Sequence, residues 1–563
     1  MPELTDMQKQ MKRHSAFKLE RASWYPHWQE LSTYLLPRNG RYFIQDRDRG
    51  QKKHNNIYDS TGTRALKTLG AGLMSGVTSP ARPWFRLGVE DTDLMTSQPV
   101  KVWLEQVRDK MLAIFSKSNT YLALHSMYQD LGCFGTSVSI VLDDYKDVIT
   151  HYNSPNGEYC LGTDYRGNVN ALTREFQKTV AEMVGEFGYD NCSQSVRSMY
   201  DSSNYGGWVS IMHIVQPRDE RDASKMDGRN KKFTSNYFEV GRDRENQYLQ
   251  EGGMDSFRVL APRWEKMSGD TYGMSPGMEA LGDVKQLQHE QLRKANAIDY
   301  QTKPPLQVPT SMKNRNIDQL PGGITYVDAT VASQQIRTAF DVNLNLQYLL
   351  ADIQDVRGRI NSAFYADLFL MISQQPADGQ MTATEVAERH EEKLLILGPV
   401  LERLHNELLS PLIEMTFERM VKTGVLPPAP PELQGVDLQV DFISTLAQAQ
   451  RAIATNGLDR FVGSLGVVAQ MKPEVLDKFD TDAWADIYSD ALGIDPTLII
   501  AGDKVAMIRG QRQQAQQQQA QQAAAAQTAD TAQKGAAAVA QMNSAGVAPT
   551  DIMNQFQGYT NAA

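Results

Sequence analysis

At 563 residues the chain is long enough for several hydrophobic cores, three or four domains by the usual scaling, and 41% hydrophobic against 22% charged residues is a globular composition. No apolar run reaches the ~18 residues of a membrane span and the N-terminus has no apolar signal segment; Cys133, Cys160 and Cys192, with no C-x-x-C, fit reduced thiols in a cytoplasm and exclude a disulfide scaffold. A net charge of −10 argues against a tight static grip on DNA, whose affinity comes from Lys and Arg, but not against a protein past which DNA slides.

Residues 1–36 read as one helix with Trp24, Trp28, Leu31 and Leu35 along a stripe, ended by Pro37 and the turn Arg38-Asn39-Gly40. Residues 41–56 are a polar, basic loop. The next segment, 57–87, holds Gly70, Gly72 and Gly76 in a G-x-G-x-x-x-G arrangement, one residue longer than the dinucleotide fingerprint and without the Lys-Ser or Lys-Thr of a Walker loop. A dinucleotide loop needs a strand before it and a helix after it. Here Leu66, Leu69, Leu73 and Val77 recur at helical spacing, with Ser60 or Thr61 as N-cap. The glycines therefore predict close helix packing rather than a phosphate site.

Ser79-Pro80 stops that helix and Pro83–Leu87 reads as a short strand. Two helices follow, marked by Trp103, Val107, Met111 and Phe115, then by Tyr121, Leu124, Tyr128 and Leu131. Gly132 and Gly135 switch the period to strand at Thr136–Leu142. From there to about 266 the pattern is mostly β: Gly157–Leu161 and Asn168–Phe176 around a turn at 164–167, then Val209–Gln216, Lys232–Val240 and Phe257–Trp264, with a helix near Val180–Phe187. This is an α+β arrangement with antiparallel pairing.

After Ser275-Pro276 a long helix runs to about Thr302, and Pro304-Pro305 ends it. Residues 303–340 carry Pro321-Gly322-Gly323 and a β-like run, Ile324–Val327. Asp341 caps a second long helix with Leu346, Leu349, Ile353, Val356, Ile360, Phe364 and Leu368 on one face. A polar break at 373–379 precedes a third, opened by the capping box Thr382/Glu385 and kinked by Pro399. Gly424 and Pro427–Pro431 mark a boundary, 440–510 reads as a smaller helical unit, and 511–527 holds ten Gln and six Ala, either disordered or helical beside neighbouring copies.

The chemistry-bearing candidates do not point to catalysis. There is no H-E-x-x-H, no zincin spacing and no G-x-S-x-G; His390 and His405 read as solvated or interhelical. Asp143-Asp144 and Asp480/Asp482 suit a magnesium site less well than turns and caps. Trp84-Phe85 and Tyr42-Phe43, beside Arg86 and Arg41, fit a base-stacking platform and core anchoring equally. No catalytic, cofactor-binding or metal residue is expected, and no enzyme.

Taken in order, Trp28-x-x-Leu31-x-x-Tyr34-Leu35-Leu36-Pro37, the stretch from Tyr58-Asp59-Ser60-Thr61-Gly62 to Pro83-Trp84-Phe85, Tyr272-Gly273-Met274-Ser275-Pro276 entering a long helix, and Met381-Thr382-Ala383-Thr384-Glu385-Val386 opening another resemble the portal proteins of short-tailed phages over roughly residues 5–510. The resemblance implies an α+β portal fold with an α/β wing, a long-helix stem, a small α/β clip, a helical crown and a C-terminal helical barrel or disordered tail. It divides the chain into wing (1–276), stem helix (277–302), clip (303–340), stem helix (341–372), tunnel loop (373–381), a kinked long helix of the wing (382–430), crown (431–510) and tail (511–563).

The implied assembly is a dodecameric ring at one capsid vertex, through which a separate terminase pumps double-stranded DNA and to which tail adaptor or tail tube proteins attach. Major capsid and scaffolding proteins are the other partners, and no membrane or cofactor is involved. The implied DNA contacts are Gln374, Gln375, Asp378 and Gln380 in the tunnel loop, with Lys285, Arg293 and Lys294 in the stem and Lys313 and Arg315 in the clip. The competing readings are an internal core or ejection protein, which is expected to be helical throughout, and a nucleotide-dependent enzyme built on residues 57–87.

Overall fold

The computed structural model describes residues 5–42, 55–302 except 90, 92–93, 95–96, 219, 223, 226 and 242–246, then 306–307, 337–338, 346–373, 397–433, 438–443, 461–468, 472, 474, 479–492 and 502–544. It forms two compact units, 1–457 and 458–563, where length alone suggests three or four.

The first unit opens with two helices, not one: α1 (Asp6–Arg21) and α2 (Tyr25–Tyr34). Pro26 lies in the first turn of α2, where its missing N–H leaves no helical bond unmade, so the chain breaks at 22–24. Thr5 and Gln8 form a capping box that starts α1. The predicted stripe holds for Trp28, Leu31 and Leu35, all fully buried. Trp28 Nε1 donates to Phe134 O at 3.1 Å and its ring meets Tyr272 edge-on at 5.0 Å.

The glycine segment is helix α3 (Thr61–Gly76), as its period predicts. It lies against α5 (Thr120–Phe134), which follows the short strand β1 (Phe85–Val89) and α4 (Gln98–Lys117). A Cβ on Gly70 would stand 2.8 Å from Gln129 Cγ of α5, and one on Gly72 would clash with Cγ, Cδ1 and Cδ2 of the Phe369 ring. Gly132 of α5 returns the close approach, 2.8 Å from Leu66 Cδ1. Gly135 caps α5 in the left-handed region at φ 75°, against Gly273 O, and turns the chain into strand.

Strands β2 (Val138–Asp144), β3 (Val148–Ser154) and β9 (Val259–Leu260) form one antiparallel sheet, in the order β3-β2-β9. A second is a five-stranded meander of β4 (Tyr159–Thr163), β5 (Val169–Thr179), β6 (Trp208–Pro217), β7 (Phe233–Glu239) and β8 (Gln250–Met254). Helices α6 (Val180–Phe187) and α7 (Gln194–Asp201) pack with Phe176, Val209 and Ile211 of that sheet. The α+β class is therefore the observed one. Strands β3 and β8 and helix α7 escape the sequence reading; β8, with Gly252-Gly253 at its centre, has no apolar alternation to find.

The long helix is α8 (Pro276–Thr302), followed by the two-residue pair β10 (Leu306–Gln307) and β11 (Arg337–Thr338), then α9 (Leu346–Ala363) and α10 (Ala366–Ser373). Helices α8 and α9 pack along each other, and Arg359 of α9 pairs with Asp283 of α8 at 3.1 Å. Pro399 lies in the first turn of the described α11 (Gly398–Leu404). The part of this run before 397 lies outside the described residues; further on, a π-helical turn, His405–Leu409, stands immediately before Pro411, which opens α12 (Ser410–Thr423). Pro411 has no N–H and crowds the carbonyl four residues back, so the wider turn relieves it.

The segment after the Pro-rich run begins with a strand rather than helix: β12 (Leu438–Phe442) pairs antiparallel with β1, Phe85 facing Phe442. The second unit contains α13 (Thr481–Leu492) and α14 (Gly502–Ser544), so the Gln/Ala-rich stretch is one continuous helix, exposed wherever its side chains are described.

Candidate functional site

A densely hydrogen-bonded polar site of the first unit lies where α3, α8 and α9 meet. Ser60 occupies the N-cap of α3, yet its side chain makes no capping bond. Asp59 does that work: Oδ1 accepts from Thr61 N at 2.8 Å and Thr61 Oγ1 at 2.6 Å. Its Oδ2 accepts from Arg357 of α9 at 2.8 Å and from Gln291 of α8 at 3.0 Å. Gln288 of α8 closes the site, taking Tyr58 N and Asp59 N on Oε1 at 2.6 and 2.8 Å and donating Nε2 to Asp59 O at 2.9 Å. Burial alone would raise the Asp59 carboxyl, but hydrogen bonds from Thr61 and Arg357 outweigh it and hold the group below the usual carboxylate range. One carboxylate thus ties the α8–α9 pair to the start of the glycine helix.

Removing it breaks its bonds to Thr61, Gln291 and Arg357 and leaves the Gln288 bonds to the Tyr58 and Asp59 backbone. Asp59→Ala should cost about 1.5–3 kcal/mol, the range for a hydrogen bond to a charged group, with Arg357 left unpaired. Hydrogen exchange should quicken in α9 and the first turn of α3 while the five-stranded sheet keeps its protection; unchanged α9 protection would contradict the latch.

The sequence-predicted stem residues separate by environment. Lys285 is bound by Glu30 at 2.6 Å, and that carboxylate raises its pKa, so its charge is already matched. Arg293 and Lys294 sit further along α8 and have no ion pair among the described residues. Arg293 lines an open cavity of about 730 Å³ with Tyr34, Tyr58 and His289. Toward the far end of α8 and the start of α9, Leu292, Ile298, Tyr300, Tyr348 and Leu350 lie exposed. A helix pair with apolar side chains on its outer surface has not buried its full apolar stripe within one chain. Gln374, Gln375, Asp378, Gln380, Lys313 and Arg315 lie outside the described residues, as do Thr382, Glu385, His390, Phe43 and Ile324–Val327.

The other candidates resolve into structural roles. Trp84 and Phe85 are buried to 1% and 0% exposure; Trp84 stacks on Phe115 and on Phe442, whose other stacking partner is His405, at 4.0 Å. Those rings anchor the core and are not a platform for bases. Asp143 is paired with Arg258 and Arg419, and Asp144 accepts from the turn amides of Lys146 and Asp147. Asp480 caps α13 and Asp482 pairs with Arg509. Among the described residues no group of three or more His, Cys, Asp or Glu could hold a metal ion, and no helix is long and apolar enough to cross a membrane.

A buried ion pair missed by the sequence reading joins the sheets to the π-helical turn. Arg263, 1% exposed, bonds Glu407 through three nitrogens: its backbone N and Nε to Oε2 at 2.9 and 3.1 Å, and Nη2 to Oε1 at 2.6 Å. Its remaining donors reach Gly167 O and Thr271 O. Only a fold that brings residues 144 positions apart together reveals it.

Comparison with known proteins identifies the family. A family described as "Bacteriophage head to tail connecting protein" matches residues 7–500. A "Probable portal protein" of Bordetella phage BPP-1 is 59% identical over 561 residues, covering 100% of both chains. A "Portal protein" of Salmonella phage epsilon15 is 45% identical over 509 residues, 90% of this chain and 91% of that one. A chain from the neck of an empty gene transfer agent particle aligns with 81% of this chain and 96% of its own, at 11% identity and a TM-score of 0.37. With the family model matching residues 7–500 and two portal proteins 59% and 45% identical over 90% or more of the chain, the chain belongs to the bacteriophage head-to-tail connecting, or portal, proteins.

Proposed function

We propose that the chain forms the ring-shaped connector at one vertex of a phage head, the channel through which double-stranded DNA is packaged and later ejected. The observation that carries this reading is the full-length 59% identity to a portal protein, joined to the family match over residues 7–500. Ring formation gives the exposed Leu292, Ile298, Tyr300, Tyr348 and Leu350 a partner, a second copy of the same helix pair. The net charge of −10 suits a passage that must not hold phosphates.

In this reading residues 1–276 and 382–430 are the wing, 277–302 and 341–372 the stem, 303–340 the clip and 373–381 the tunnel loop; β12, at the start of the crown segment, pairs with β1 of the wing, and the α14 helices of neighbouring copies stand side by side as a barrel. Gln374, Gln375, Asp378 and Gln380 meet the DNA, with Arg293, Lys294, Lys313 and Arg315 nearby. A terminase, tail adaptor proteins, and capsid and scaffolding subunits are its partners, in a dodecamer assembled in the host cytoplasm.

Electron microscopy of the purified protein tests the core of this proposal. Rings with a central hole are expected. Monomers or filaments would overturn it, and would favour an internal core component.

A further inference from the structure

Helix α9 carries two stripes of the same spacing. Tyr348, Asp352, Asp355 and Arg359 form one, and Leu350, Gln354, Arg357 and Asn361 form the other. A helix turns by about 100° per residue, so stripes offset by two positions lie about 160° apart, on nearly opposite sides. Ile353, Val356 and Ile360 are buried between them and fix the inward direction. Each stripe begins with an exposed apolar side chain, Tyr348 at 80% and Leu350 at 43%.

The two sides differ in charge. On the first, Arg359 is shared by Asp355 at 3.3 Å and Asp283 of α8 at 3.1 Å, while Asp352 has no ion pair among the described residues. Three carboxylates there have one guanidinium between them. The second stripe walls an open cavity of about 600 Å³ against the start of α3, lined by Ser60, Arg64, Gln354, Arg357 and Asn361. Arg357 is taken by Asp59, but Arg64 has no ion pair among the described residues. The side chains of Ser60, Gln354 and Asn361 make no hydrogen bond among those residues either. Arg64 also stands at the end of the first turn of α3, where the helix dipole disfavours a cation, so it does not serve its own helix.

We propose, on the ring reading above, that this cavity receives the acidic stripe of a second copy of the chain, with Arg64 pairing to Asp352 of the neighbouring copy. A ring closes head to tail, through two different and complementary faces on separate sides of each copy. Helix α9 presents such a pair. One side offers a cation ringed by unspent hydroxyl and amide groups, and the other offers carboxylates in excess over their cations. The exposed Tyr348 and Leu350 supply apolar area at the same end of each stripe. The charges decide which faces meet and in what register, and the apolar area supplies more of the affinity.

Sedimentation and electron microscopy of the purified full chain test the pairing. Arg64→Glu, which sets like charges against each other, should raise the concentration for half-maximal ring formation at least about tenfold. Combining Arg64→Glu with Asp352→Arg should restore assembly. If native protein forms rings and Arg64→Glu forms them equally well, or the double variant is no better than the single one, the pairing is overturned and the ring reading stands. Native protein without rings overturns both. Rings intact in Arg64→Glu but weaker in holding DNA would give the cavity to a phosphate backbone instead, and also overturn the pairing. Should Arg64→Glu fail to fold, Arg64→Cys with Asp352→Cys decides. A short bismaleimide should link its rings into a ladder of multimers, against a low background because Cys133, Cys160 and Cys192 are buried. A ladder no stronger than that of either single-cysteine variant overturns the pairing.

Discussion

Glu407→Ala should be among the most damaging single changes in the chain, lowering stability by about 3–5 kcal/mol, the cost of stripping one partner from a buried ion pair. Arg263 would keep its charge at 1% exposure with only the carbonyls of Gly167 and Thr271 in reach. At about 2 °C per kcal/mol for a unit of this size, the thermal midpoint should fall by about 6–10 °C. Glu407→Gln, which retains an acceptor of the same shape, should lose less. Replacing both partners together should be milder than Glu407→Ala alone, because no uncompensated charge remains; a double variant as damaged as the sum of the two singles would refute the pairing.

Gly72→Val should be comparably severe for a steric reason. Its Cβ would clash with the ring of Phe369, a residue 7% exposed, so α3 and α10 must separate or the ring must leave its pocket. Even Gly72→Ala sets a gain of up to about 1 kcal/mol in helix propensity against an overpacking cost of about 1–3 kcal/mol, and the clash wins. Gly282 on α8 is the control: nothing lies within 4 Å of its Cβ, so Gly282→Ala should be neutral or stabilising. Denaturant unfolding of the two alanine variants distinguishes them, and a Gly72→Ala protein as stable as the native one would remove the packing explanation. Combining Gly72→Ala with Phe369→Leu should recover part of the loss.

These two sites show different degrees of legibility. The Gly72 contact is half-written in the sequence: the 3-4 spacing of Leu66, Leu69 and Leu73 identifies a helix whose small residues invite a neighbour, but not that Gln129 and Phe369 fill the space. The Arg263–Glu407 pair leaves no local trace. The same holds for Asp59, where the obvious hydroxyls, Ser60 and Thr61, draw attention from the carboxylate that does the capping and reaches α8 and α9.

What the sequence by itself determined are elements set by local periodicity and by Gly or Pro punctuation. Helix α8 begins at Pro276 and ends at Thr302, just short of Pro304-Pro305; the start of β2 follows the Gly135 cap; β6 and β7 match their β-branched runs within a residue or two. The order of motifs also carried the family assignment. The tertiary structure alone decided how distant segments meet: β12 pairs with β1 across some 350 residues, Asp130 accepts from Asn39, and a π-helical turn stands immediately before Pro411. Periodicity records which face of an element is apolar, whereas pairing, burial and the environment of a charge depend on what covers that face, and that is fixed only when the chain closes on itself.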